Sequence, residues 1–468
     1  MISRSLRAVA TLATAATILS ACQQLDTLTQ GWFSPSGRTS KLRGERISVM
    51  ALDETLKPDE TLASTDVVLP PPYRNDSWPD AGGYPSNAMY HLEATGPLRP
   101  VWTQEAGKGS DTDSRLTAPP IVANGTVYVL DAAAHIFAFN AKTGGPQWDK
   151  SLAPQGDSSF VNDATFGLLG HDSSSDAAKG AGGGIAFDDG KIFVTTGFGD
   201  VIAMNADGRP VWKINLGVPI VNAPVASGGR VFVSSQDNHF YALAQVDGRK
   251  LWDHQGITES AGILESTSAA VAGEFVVAPY TSGEIYALRV QNGRPAWNDM
   301  LTGSGAATPL SELDDIAGRP VVDRDMVFAI SHSGVMAAIT LNTGDRTWSR
   351  DVGGIQTPWV AGDFIYVLSI DQRLICLTRK EGRVKWVHQL SRWEDAAEKS
   401  DPIVWAGPVL VSDRLIVVSS HGYAESISPY TGALLGRTQI PSAAFIAPVV
   451  ADDTLYLLTN DAHLVALR

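Results

Sequence analysis

The sequence predicts an all-β chain folded as an eight-bladed β-propeller, with each blade a four-stranded antiparallel sheet. Three observations predict it. A strand-rich unit of about 40 residues recurs along most of the 468-residue chain. Most copies place a Gly-containing turn and then a Trp at fixed points. The two ends of the array are complementary, one carrying the strand that the other lacks.

The clearest unit reads Val127-Tyr128-Val129, Ile136-Phe137-Ala138-Phe139, Thr143-Gly144 and Trp148. The apolar runs are rich in Val, Ile, Tyr and Phe and are short enough for strands. The Gly pair supplies the positive φ of a hairpin turn. The same order returns with Asp207-Gly208 and Trp212, Asp247-Gly248 and Trp252, Asn292-Gly293 and Trp297, Thr343-Gly344 and Trp348, and Glu381-Gly382 and Trp386. A seventh unit has Thr431-Gly432 but Gly436 where Trp is expected. A further strand precedes each unit, often marked by a pair such as Ala118-Pro119 or Ala223-Pro224. Four antiparallel strands per repeat make a propeller blade.

The eighth unit begins at Leu455-Tyr456-Leu457 and stops at Leu464-Val465-Ala466-Leu467-Arg468, without a Trp strand. Upstream of the first unit, Arg99-Pro100-Val101-Trp102 is a lone Trp strand. Pairing the two closes the ring, which a linear solenoid would not require. The recurring rings of Trp102, Trp148, Trp212, Trp252, Trp297, Trp348 and Trp386 read as packing that docks each blade on its neighbour. Losing such a ring to Ala costs on the order of 3 kcal/mol or more.

The second strands start at 127, 192, 231, 275, 327, 365, 415 and 455, so the gaps are 65, 39, 44, 52, 38, 50 and 40 residues. The three long gaps hold Pro154 to Gly184, Gly303 to Gly318 and Ser391 to Trp405. Each lies between a Trp strand and the next blade, and those crossings share one face of a propeller. Insertions on one face mark a binding face. The run Asp172 to Asp176 lacks the ligand spacing of a calcium loop. Ser391 and Glu394 have capping-box spacing, which predicts two helical turns over Trp393 to Lys399. Trp393 and Trp405 lie outside the docking register, packed beneath that helix or exposed as anchors for a partner.

Residues 1–21 read as a secretory signal: Arg4 and Arg7 precede the uncharged stretch Ala8 to Ala21, too short for the roughly 20 residues of a membrane span. Its end, Leu19-Ser20-Ala21-Cys22, resembles the lipobox of bacterial lipoproteins, which implies cleavage before Cys22 and acylation of it. Several acyl chains anchor firmly. Gln23, not Asp, follows the cysteine and points to the outer membrane. Residues 22–80 hold no repeat and, with Leu69-Pro70-Pro71-Pro72, read as an extended tether, leaving 81–468 for the ring. The formal charge of −14, about −16 once Arg4 and Arg7 are removed, argues against nucleic acid or anionic headgroups as partners. The membrane is reached by the lipid alone. Cys376 has no partner for a disulfide and reads as a small apolar strand residue.

The Trp positions resemble the docking motifs of quinoprotein (PQQ) dehydrogenases and their non-enzymatic relatives. A dehydrogenase of that kind needs a carboxylate base, a calcium with acidic and amide ligands and, in most such enzymes, adjacent cysteines. The chain has two cysteines, far apart, and no recognisable base among metal ligands. His135, His239 and His463 recur at related places in three blades, which suits turn or strand packing. A PQQ-dependent dehydrogenase, or a degenerate relative of one, is the alternative reading; the preferred one needs no cofactor and no metal.

With its lipobox, eight-fold pattern and final Leu464 to Arg468, the chain is similar from about residue 78 onward to the propeller lipoproteins of the outer-membrane β-barrel assembly (Bam) complex. The resemblance implies a non-enzymatic scaffold facing the periplasm. Such a scaffold binds the POTRA domains of the barrel-inserting subunit and assists delivery of unfolded outer-membrane proteins. The family's contacts lie in two successive crossings, here near Ser260 to Glu265 and Leu313 to Arg319. Ile263, Leu264 and Glu265 match the first patch, although no arginine occurs between Arg249 and Arg289. Asp314 and Asp315 match the second, although Ala317 stands where the family has its second acid.

Overall fold

The computed structural model describes residues 56–112, 114–154, 182–259, 267–303 and 314–468. They form eight four-stranded antiparallel sheets, one per blade, and one short hairpin. Among the described residues the only helical turn is the 3-10 turn Glu60–Leu62. Blade 1 comprises Ile121–Ala123, Thr126–Leu130, His135–Asn140 and Pro146–Ser151. Blades 2 to 7 begin with the innermost strands Gly183–Asp188, Val225–Ser227, Ala270–Ala272, Val321–Asp323, Trp359–Ala361 and Trp405–Val411. Blade 8 is the split one: Val449–Ala451, Thr454–Leu458 and His463–Leu467 are completed by Pro100–Glu105. Thr103 pairs with Val465 and Gln104 with Leu464, so the complementary ends do close the ring.

One row of residues explains each blade. In blade 1, Ile121, Tyr128, Ala138 and Trp148 are cross-strand partners. The third-strand member is Ala in six blades, Cys376 in blade 6 and Ser426 in blade 7. A small residue there lets the ring of the outer strand lie against the second strand. Cys376 is fully buried at that place, and burial pushes its thiol above the usual range. Directly before the Trp-row position, the outer strand of every blade carries a β-bulge. A bulge re-aims a side chain, and here the side chain re-aimed is the Trp.

Each Trp docks on the hairpin turn of the next blade. The Nε1–H groups of Trp148, Trp212, Trp252, Trp297, Trp348 and Trp386 donate to backbone carbonyls of Ala206, Gln245, Val290, Leu341, Arg379 and Pro429 at 2.6–3.0 Å. The rings lie over the turn glycines. A Cβ on Gly248 would stand 2.7 Å from Trp212, and one on Gly432 2.7 Å from Trp386. Glycine therefore serves twice, giving the turn its positive φ and the ring its seat. Trp102 rests on Gly144, while Tyr456 takes the matching carbonyl of Ala141 at 3.0 Å.

The absence of Trp from blade 7 has a structural cause. Gly436 keeps the row, paired with Ser426. The next blade, however, is the split one, and where its turn would run the chain instead pairs Arg99 with Arg468. No turn glycine exists to receive a ring. Blade 7 stacks Arg437 on Tyr423 instead, 4.2 Å from the ring centre, and pairs it with the buried Glu425 at 2.6 Å.

The N-terminal part corrects the tether expectation. From Leu56 the chain is docked, not free. Leu56 and Leu62 are buried, and Asp59 pairs with Arg383 of blade 6 at 2.8 Å. Residues 75–92 then circle the axis on the face of the hairpin turns and bond to the innermost strand of every blade in turn. Asn75 reaches Val450 of blade 8, Trp78 pairs with Val122 of blade 1, and Pro79 accepts from Phe187 of blade 2. Asp80 accepts from Ala226 of blade 3, Pro85 from Val271 of blade 4 and Ser86 from Val322 of blade 5. Tyr90 accepts from Trp359 of blade 6, and Leu92 bonds to Leu410 of blade 7. The circuit is a plug across one end of the channel.

Asp80 is the costly part of the plug. It is 1% exposed, and burial raises its pKa well above the usual carboxylate value. A carboxyl raised in the folded state binds its proton more tightly there than when unfolded. Its contribution is therefore fully favourable only below about pH 4 and is lost as pH rises toward the folded pKa. Asp80→Asn is expected to raise the thermal midpoint at pH 8 and leave it unchanged at pH 4. A midpoint that falls at both pH values would show that the charged form is needed.

The third insertion also departs from expectation. Trp393 to Lys399 forms no helix; Trp393–Asp395 pairs with Ser400–Pro402 as a hairpin. The Asp395 side chain accepts from the Ala397 and Glu398 backbone N–H groups at 3.0 Å, and this Asx-type turn diverts the chain. A segment so short has too few turns to repay helix nucleation. Trp405 is 2% exposed, donates to the Ser391 carbonyl at 2.9 Å and meets Tyr423 edge-on, so it packs; Trp393 is half-buried.

Candidate partner-binding face

Within a blade, the turn between the second and third strands lies on the same face as the crossings. In blade 4 that turn is Tyr280 to Glu284, and both candidate crossings are fastened to it. The crossing into blade 4 leaves Gln255 and is held at its root: Ile257 N–H donates to Glu284 Oε2 at 2.6 Å, and its carbonyl accepts from Asn238 Nδ2 at 2.5 Å. Asn238 Oδ1 accepts from Thr281 Oγ1 at 3.0 Å, closing the joint. The crossing into blade 5 is tied by Leu301 N–H to the Gly283 carbonyl and by Ile316 N–H to the Tyr280 carbonyl.

Glu284 is the hub. It is 4% exposed and also accepts from Ser282 Oγ at 2.8 Å and Tyr286 Oη at 3.0 Å. Tyr280 Oη and His254 Nδ1 share a hydrogen bond of 2.7 Å. Burial pushes the Tyr280 and Tyr286 phenols up and the His254 imidazole down, so His254 is neutral at pH 7. Glu284→Ala leaves three donors unpaired, each worth about 1–3 kcal/mol when buried. It is expected to loosen this joint, read as faster amide exchange at Ile257 with blade 1 unchanged. Sequence reasoning missed Glu284 and Asn238. The available signal was register: Glu284 opens its third strand where His135, His239 and His463 open theirs.

Of the sequence-predicted contacts, Ile263, Leu264 and Glu265 lie outside the described residues, as do Cys22, the lipobox and Asp172 to Asp176. Asp314 is half-buried beside Gly283. Asp315 is only 3% exposed, and its carbonyl accepts from His332 N–H at 2.9 Å. Its side chain is therefore part of the seat of the crossing and not an outward contact. Ile257, 52% exposed beside this joint, is an apolar surface residue that the sequence did not single out.

The recurring histidines have local partners: His135 pairs with Asp149 at 2.8 Å, His239 with Asp237 at 3.3 Å and His463 with Asp461 at 3.2 Å. Among the described residues no group of three or more His, Cys, Asp or Glu is placed to hold a metal. A cavity of about 360 Å³ does lie above the plug, and among the described residues no carboxylate lines it. Among the described residues a quinone with its calcium and catalytic base finds no acidic ligand there, so these residues do not fit that cofactor.

The family model for the outer membrane protein assembly factor BamB matches residues 86–170 and 167–388. The chain belongs to the BamB family. The outer membrane protein assembly factor BamB of Moranella endobia is 23% identical over 371 residues, 78% of this chain and 89% of that protein. The crystal structure of BamB from Moraxella catarrhalis superposes with a TM-score of 0.63 at 18% identity, covering 79% of this chain and 99% of that one. The quinohemoprotein alcohol dehydrogenase of Comamonas testosteroni gives 0.61 at 13% identity, covering 84% and 81%. These two structures share the propeller fold. BamB membership places the chain among outer-membrane assembly factors and not among the dehydrogenases that share its ring.

Proposed function

We propose that this BamB-family chain is a lipoprotein anchored through Cys22 to the periplasmic side of the outer membrane. There it binds POTRA domains of the barrel-inserting subunit and assists delivery of unfolded outer-membrane proteins. The observation that supports the reading is the shared joint: the crossings into blades 4 and 5 are both fastened to the Tyr280–Glu284 turn. The described roots of both crossings thus share one turn. Exposed Ile257 is an apolar residue beside this joint and Asp314 an acidic one, and the family resemblance adds Ile263, Leu264 and Glu265 as contact residues. An apolar centre with a polar rim is the usual anatomy of a specific interface.

Co-purification from solubilised membranes tests it. Leu264→Glu and Asp314→Arg are expected to reduce recovery of the barrel-inserting subunit about tenfold or more, a loss of about 1.4 kcal/mol or more, with unchanged melting curves. Asp315→Arg is not a clean probe, because charge reversal at a buried carboxylate unseats the crossing itself. Normal recovery with both surface variants would overturn this surface, and failure of the unaltered chain to recover the subunit would overturn the function.

A further inference from the structure

The outer strand of each blade is an open edge, and an open edge is a template for pairing with another chain unless something blocks it. The first position of the strand carries the block. In blades 8, 1, 2 and 4 it is Pro100, Pro146, Pro210 and Pro295, and a proline offers no N–H to an added strand. In blades 3 and 5 it is a charge, Lys250 or Arg346. In blade 6 it is Val384, and that place is already taken. The Val384 carbonyl accepts the Asp59 N–H at 2.8 Å, and the adjacent Lys385 Nζ donates to the Leu62 carbonyl at 2.6 Å. The chain's own N-terminal segment thus shows that an outer edge can take extended chain.

Blade 7 carries no such block. Its outer strand Leu434–Gln439 opens with Leu434, which pairs with Ile427 as Val384 pairs with Leu377. Leu434, Leu435 and Gly436 are all exposed, and the strand's one charge, Arg437, is turned to Glu425 of its own blade. Among the described residues no segment outside the blade bonds to the backbone of this strand. The row behind the edge is unfilled as well. It ends in Ser426 and Gly436, and nothing lies within 4 Å of a Cβ at Gly436. Directly paired residues of neighbouring strands put their side chains on one face. A residue paired with Gly436 therefore lays its side chain over that notch, and an aromatic ring there covers the glycine.

We infer that the outer edge of blade 7 takes an extended segment of an unfolded β-chain as an added strand, with an aromatic side chain seated over Gly436. The site rests on the reading that the chain assists delivery of unfolded outer-membrane proteins, whose strands alternate in polarity and carry aromatic residues. It places client capture on blade 7 and not on the crossings into blades 4 and 5. Fluorescence anisotropy on the full chain tests it, with a labelled peptide of about ten residues, the length of a membrane-spanning strand, alternating Val and Thr around a central Phe. Saturable binding is expected, weakened at least about tenfold by Leu434→Pro combined with Leu435→Lys. Melting curves are expected to stay unchanged, since other blades carry Pro at the first position and blade 6 carries Lys385 at the second. Replacing the peptide's Phe by Ser is expected to weaken binding about tenfold. Val211→Lys, at an exposed position on the outer strand of blade 2, is the control and leaves binding as it is. No saturable binding at millimolar peptide overturns the inference, as does binding that the double variant leaves intact or that is equal for the two peptides. Self-association of the chain that the double variant abolishes also overturns it, because the occupant is then a second copy. The double variant is expected to recover the barrel-inserting subunit normally, so a failure of peptide binding leaves the partner-binding face standing.

Discussion

Leu92→Ala is expected to cost about 3 kcal/mol of unfolding free energy, the middle of the range for a buried leucine, although Leu92 belongs to no blade. Leu92 is 0% exposed. Its N–H donates to the Leu410 carbonyl at 3.2 Å and its carbonyl accepts from Ser412 N–H at 2.9 Å, so it acts as an extra strand residue inside blade 7. It also bridges to Tyr73, which ties the start of the plug to its end. The truncated side chain leaves a cavity among residues fixed by the ring, and relaxation there is slight. The control is Val68→Ala, in the same segment but 71% exposed, expected to stay within about 0.5 kcal/mol of the parent chain. Urea unfolding of both variants checks the pair. Equal midpoints would show that the plug is laid on the ring and carries none of its stability. Deleting residues 56–93 is expected to have the larger effect, since it removes the bonds to all eight innermost strands together.

The ring was legible because its signals repeat. One apolar run proves little, but the same run with the same turn and the same Trp in successive units fixes strand order and count. The split blade was legible for a similar reason: Trp102 is meaningful only beside a blade that lacks its Trp. The plug was not legible, because residues 75–92 follow no period. Their bonds use backbone groups and single side chains such as Asn75 and Asn87, each matched to a different blade. Composition suggested a tether, since Pro and Ser are used by free chain and by docked extended chain alike. The hairpin at Trp393 failed for a local reason: Asp395 can cap a helix or turn the chain back, and only the neighbouring crossing decides. The partner face was legible in part. Spacing located the two crossings, but no pattern in sequence distinguishes Asp314 from Asp315, and burial separates them. Glu284 was hidden because its role comes from the fold around it.

The docking rule leads to an asymmetric expectation at two sites of the same row. Trp348→Ala is expected to cost about 3–5 kcal/mol. Its ring is 7% exposed, sits on Gly382, where a Cβ would lie 2.6 Å away, and donates to the Arg379 carbonyl at 3.0 Å. Removing it separates blade 5 from blade 6 at their outer edge and strands a backbone carbonyl. Gly436→Trp restores the consensus of the repeat, and repeat logic alone expects stabilisation of similar size. The structure expects nearly none, within about 0.5 kcal/mol. Nothing lies within 4 Å of a Cβ at Gly436, and blade 8 has no hairpin turn to seat the ring, because Arg99 and Arg468 meet there as separate strand ends. The neighbouring Leu434 and Leu435 are already 50% and 55% exposed, so the new ring adds apolar surface to an edge that buries none. Chemical denaturation of the two variants decides between the accounts. Gly436→Trp stabilised by several kcal/mol would mean that the Trp acts through its own blade. A neutral result beside a large loss at Trp348 would place the energy in the contact with the next blade's glycine, which is the contact the split blade cannot offer.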